Sequence, residues 1–172
     1  MLDDSDAVQP VAEAPIETPC SSPASTIAPV VATYRFTVHV SAPIENVFGA
    51  WIDLDRMREW VGGVTGVTDV TGPVDRVGTR YTVLFGRMRS ETEVLEADPP
   101  HLLHTRFGNW LLRGESRATF EPDGNGTRLT VEVRTKGWVS AIMARIFATG
   151  SYQGSFLGEL RAFARLVEQQ SG

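Results

Sequence analysis

Apolar and polar residues alternate from Tyr34 to Val40 in the run Tyr-Arg-Phe-Thr-Val-His-Val, which predicts a half-buried strand. The pattern then changes period. Ile44, Val47, Phe48 and Trp51 recur at three- and four-residue spacing, the apolar stripe of a helix. Ser41 or Ala42 suits the cap of that helix, Pro43 its first turn, and Glu45 the positive end of its dipole. A second short helix is expected over 53–60, ended by Gly62-Gly63. Period-two alternation returns and predicts strands over 64–71, 79–85, 87–97, 101–107, 114–121 and 127–135. Pro122-Asp123-Gly124-Asn125-Gly126 is a hairpin turn signal between the last two. After Gly137 the period is helical again, with Phe156, Leu157, Leu160, Phe163, Ala164 and Val167 on one stripe.

The order is therefore β-α-α, six β, then α, an α+β pattern whose tight turns imply an antiparallel meander. Each strand has one apolar face. Tyr81, Val83 and Phe85 share one, as do Leu103, Thr105 and Phe107, and Ala118 with Phe120. The opposite faces carry the charges, among them Arg89, Glu91, Glu93, His104, Arg106 and Arg117. The apolar stripe of the last helix is expected to pack into a curved sheet.

The stretch Val38–Trp60 (VHVSAPIENVFGAWIDLDRMREW) resembles the opening motif of the SRPBCC superfamily, which includes START, Bet v 1-like and polyketide cyclase/dehydrase-type proteins. Residues 77–81, 93–100 and 124–130 are similar to its later strands, so the resemblance spans about residues 34–169. It implies a helix-grip fold, a seven-stranded antiparallel sheet around a long C-terminal helix. It also implies an internal cavity for an apolar small molecule. Spacing alone does not decide whether such an interior is hollow or filled.

Charge divides the chain in two. Of 21 acids and 16 bases, residues 1–32 hold five acids (Asp3, Asp4, Asp6, Glu13, Glu17) and no base. That stretch also has five of the ten prolines and no aromatic residue, and is expected to be a disordered acidic tail. Residues 33–172 form the domain, with 16 acids against 16 bases. A neutral body gives no basis for nucleic-acid binding. The one cysteine, Cys20, excludes an internal disulfide. No leader or bilayer-spanning run is recognisable, so a cytoplasmic location without an integral membrane segment is expected.

Catalytic signatures are scarce. The body has no cysteine, and its one lysine, Lys136, falls at a strand end. No nucleophile elbow, phosphate loop or dinucleotide fingerprint is present, and no cofactor is expected. His101 and His104 are three apart, which points them to opposite faces of one strand and suits no shared metal. Glu91 and Glu93 share a face, but arginines on neighbouring strands account for them as cross-strand pairs.

The candidate ligand-binding residues follow from the expected cavity. Strands supply Tyr81, Val83, Phe85, Leu103, Thr105, Phe107 and Phe120, with Tyr81 and Thr105 as polar contacts. The last helix supplies Met143, Ile146, Gly150 and Gly154. Trp60 is read as core or ligand contact, and Trp110 as an entrance lip or a ring folded back. Gly150, Gly154 and Gly158, four apart, fit a helix thinned for a ligand, close helix–sheet packing, or a break over 148–155.

The leading expectation is binding or transport of a hydrophobic small molecule: a lipid, a sterol-like compound or an aromatic polyketide. A polyketide cyclase or dehydratase is the alternative, and it requires an ionisable group inside the cavity. An interaction module or toxin-like growth inhibitor is the third, which a free tail and a filled core would favour. The oligomeric state is not legible.

Overall fold

A computed structural model describes residues 31–110, 113–136 and 151–171. Strand β1 (Val31–Val40) leads into helix α1 (Ile44–Ile52). A single 3-10 turn (Leu54–Arg56) and the short helix α2 (Met57–Trp60) follow. The meander is β2 (Gly66–Thr68), β3 (Arg80–Phe85), β4 (Met88–Asp98), β5 (Leu102–Gly108), β6 (Arg113–Asp123) and β7 (Gly126–Lys136). Helix α3 (Ser151–Ser171) closes the order. The seven strands form one antiparallel sheet in the order β1-β7-β6-β5-β4-β3-β2.

Three local expectations shift. β1 begins at Val31, opposite Lys136, three residues before the alternation starts. Pro43, rather than Ser41 or Ala42, caps α1 and so precedes its first turn, and its carbonyl accepts from Asn46 N–H at 3.0 Å and Val47 N–H at 3.1 Å. β2 keeps three of its eight expected residues, because Asp69 adopts φ 56°, a left-handed conformation that ends the strand.

On the outer face the charges pair across strands. The register places Arg80, Glu93, Arg106, Glu115 and Arg134 in one row over five strands, with alternating sign. Arg80–Glu93 is 3.2 Å and Arg106–Glu93 3.7 Å. A second row joins Arg117 to Glu96 at 2.7 Å and Arg35 to Glu132 at 2.9 Å. Glu132 also meets Arg134, and its two arginine partners, Arg35 first, hold its carboxyl below the usual range. Such exposed pairs contribute about 0–1 kcal/mol each. Their effect is to fix register and keep carboxylates off the inner face.

The inner face is packed at one end and hollow at the other. At the packed end, Phe120 meets Phe48 edge-on at 5.3 Å and Trp51 at 6.0 Å. Phe163 of α3 lies 5.3 Å from Trp51 and 5.0 Å from Trp60. Val40, Val47, Leu129, Leu160 and Val167 belong to the same buried cluster as these rings. Helix α3 is tied to the β1–α1 corner where Ser41 N–H donates to Glu168 at 2.8 Å. Residues 1–30 of the expected tail, and Met143, Ile146 and Gly150 of the expected last helix, lie outside the described residues, while Val31 and Ala32 join β1.

Candidate functional site

The hollow end holds a cavity of about 420 Å³. Its sheet wall comes from inward residues of six strands: Tyr34 and Phe36 of β1, the β3 set, the β5 set, Ser116 and Ala118 of β6, and Val131, Val133 and Thr135 of β7. Ser90 and Thr92 of β4 complete it. Trp51, Met57 and Trp60 cap it from the short helices, and Phe156 and Glu159 face it from α3. Phe36 meets Phe156 across this space with ring centroids 4.7 Å apart.

Seven sequence-predicted residues line this one cavity: Trp60, Tyr81, Val83, Phe85, Leu103, Thr105 and Phe107. The period-two register that puts Tyr81, Val83 and Phe85 on one side is the reason they converge. Gly114 lies opposite Phe107 across β5–β6, and a Cβ there would sit 2.7 Å from the ring, so glycine is what leaves room for it. Trp60 reconciles its two readings, since it stacks at 4.9 Å on Trp51 and also faces the cavity.

Two predicted residues lie elsewhere. Phe120 is 1% exposed and belongs to the packed end, because it sits toward the β6–β7 turn opposite Leu129. Trp110 is 84% exposed in the β5–β6 connection, so its ring neither folds back nor lines the cavity. Gly154 lies within helical α3, though its surroundings fall outside the described residues. A Cβ added at Gly158 would meet nothing within 4 Å, so this glycine serves no close packing.

The polar groups are few. The strand charges stay outside as expected. Glu159 of α3, which the sequence reading overlooked, is the one charged residue among the described lining residues. Its carboxylate accepts from Gly62 N–H at 3.0 Å. A Cβ at Gly62 would stand 2.8 Å from that carboxylate oxygen, so the approach needs a glycine. Burial raises the Glu159 pKa, and the Gly62 bond opposes the shift more weakly. The available signal was helical spacing: Glu159 is three residues after Phe156 and four before Phe163, on the apolar stripe.

Tyr81 is buried, and burial pushes its phenol up to about 12, so it stays a neutral hydroxyl at physiological pH. Two further lining residues carry buried polar atoms with no hydrogen-bond partner among the described residues, the Trp60 Nε1–H and the Thr135 hydroxyl. Leaving such a group unpaired costs about 1–3 kcal/mol. A ligand bearing an acceptor recovers that energy. Among the described residues no cluster of His, Cys, Asp or Glu suits a metal, and no helix is long and apolar enough to cross a membrane.

A family profile described as polyketide cyclase / dehydrase and lipid transport matches residues 31–165. No curated protein matches the chain. Among solved structures, the di-domain ARO/CYC StfQ from the steffimycin biosynthetic pathway superposes with TM-score 0.67 at 14% identity, over 83% of this chain and 52% of that one. The chain thus spans about half of that di-domain protein. A norcoclaurine synthase point mutant from Thalictrum flavum, in complex with a transition-state analogue, gives 0.63 at 13% identity, covering 86% of this chain and 100% of its own. Ara h 8.0201 gives 0.59 at 15% identity, covering 80% and 98%. At these identities the likeness speaks for the helix-grip fold.

Proposed function

The chain belongs to the polyketide cyclase / dehydrase and lipid transport family, and from that premise we propose that it binds an apolar small molecule, a lipid or an aromatic polyketide, in the hollow half of its sheet. One observation carries this reading: a cavity of about 420 Å³ walled by apolar side chains with few polar groups among them. That size falls in the range of small-molecule sites, roughly 300–1,000 Å³. Affinity would come from apolar burial at about 25 cal/mol per Å². Tyr81, Trp60 and Thr135 would then orient the ligand through a carbonyl or hydroxyl on it.

The test is a titration with the apolar fluorophore anilinonaphthalene sulfonate. Ser116→Phe adds bulk inside the cavity at a small, partly buried residue. The variant is expected to bind the probe at least about tenfold more weakly while unfolding cooperatively like the parent, each tenfold being roughly 1.4 kcal/mol. Equal affinity in a folded variant would overturn the reading.

A cyclase or dehydratase is the second reading, and Glu159 favours it. A carboxyl whose pKa is raised by burial is suited to accept a proton from a carbon beside a carbonyl and to return it to a departing hydroxyl. The Glu159→Gln variant should keep probe affinity and lose turnover of a poly-β-ketone analogue; unchanged turnover would remove Glu159 from the chemistry. A filled core would have favoured the interaction-module reading, and the hollow half withholds that support.

A further inference from the structure

The hollow end differs from the rest of the molecule in its surface as well. Met88, the first residue of β4, lines the cavity and is also 45% exposed, so the cavity reaches the surface there. Trp110 stands 84% exposed beside Asn109, another lining residue. Met88 and Trp110 are two of the four exposed large hydrophobics among the described residues; the others, Val70 and Val77, lie in the β2–β3 loop.

The charges break their pattern at the same place. Arg113 and Lys136 face each other directly across β6 and β7, both exposed and without an ion-pair partner among the described residues. Like charges in that position repel. Two residues inward along the strands, the row through Arg134 alternates in sign. Exposed Arg87 joins them from the β3–β4 turn, while its neighbour Arg89 is held by Asp69 at 2.7 Å. The acid in the end row is Glu91, on the far side of Gly108 from Arg113. No acid follows Lys136 in sequence until Glu159. Stability does not call for an unneutralised basic rim with a solvent-exposed tryptophan and methionine beside a cavity opening.

We propose that this rim, Arg87, Met88, Trp110, Arg113 and Lys136, docks on an anionic lipid surface and sets the cavity opening against it. Tryptophan at the headgroup level and arginine or lysine near anionic lipid are the two contributions that hold a peripheral protein on a bilayer. The ligand would then pass between bilayer and cavity without crossing water. The inference rests on the apolar-ligand reading above for its purpose, and on surface residues alone for its mechanism.

Sedimentation with phosphatidylcholine vesicles, with and without phosphatidylserine, tests it. The full chain is expected to bind the mixed vesicles, to bind pure phosphatidylcholine much less, and to be released by salt. Trp110→Ser and the double variant Arg113→Glu/Lys136→Glu should each lose roughly tenfold or more in vesicle affinity while keeping anilinonaphthalene sulfonate affinity. Ser116→Phe should do the reverse. Failure of the parent to bind mixed vesicles, as expected for a rim that meets a protein, would overturn the docking proposal. So would rim variants that bind vesicles as the parent does. Either result would leave the cavity reading standing, whereas unaltered probe binding by Ser116→Phe would remove that reading alone.

Discussion

Glu159 is the residue on which the chemistry of the cavity turns. Its pKa is raised, so the folded state favours the protonated carboxyl. The stability this gives is present below the ordinary glutamate range and is lost as pH rises through the folded value. Thermal unfolding should therefore find Glu159→Gln more stable than the parent near neutrality. The difference should shrink to nothing under acid conditions, because Gln keeps an oxygen for Gly62 N–H. A constant difference across pH would mean that burial of charge is not what the site carries. Gly62→Ala is expected to cost about 0.5–1.5 kcal/mol, the worth of the displaced hydrogen bond, measured by denaturant unfolding. Strand residues of the site were legible because period two assigns each to a face. Glu159 was not, since a charge on a helical stripe reads as an interruption until the facing loop is known.

At the scale of elements, the sheet divides into a packed and a hollow half, and the two should respond oppositely to substitution. Phe120→Ala removes a ring held by Phe48 and Trp51, and should cost about 3–5 kcal/mol with little change in probe affinity. A loss of probe affinity without loss of stability would contradict the division. The element order and the last five strands were readable from periodicity and turn residues. β2 was placed but made too long, because its ending depends on a left-handed Asp69 that alternation does not reveal. Phe120 was assigned to the right face but the wrong half. A strand pattern says which side a residue faces and not how far along the sheet the helices pack.

For the whole molecule, the formal charge of −5 belongs to the first 32 residues, and the body is neutral overall but unevenly so. Its outer face alternates in sign, and its open end is basic and apolar. A chain beginning at residue 31, where β1 starts, is expected to unfold at the same temperature as the full chain; a lower midpoint would show that the acidic stretch supports the domain. The family resemblance implied a cavity, while composition could not tell a hollow interior from a filled one of equal hydrophobicity. That distinction is also the centre of the functional account. Native mass spectrometry of the protein purified from its own cells tests it most directly. The account predicts a co-purifying apolar compound of defined mass that Ser116→Phe excludes. A protein that emerges at its bare mass, and that takes up neither lipid nor polycyclic aromatic compounds when they are supplied, would contradict it.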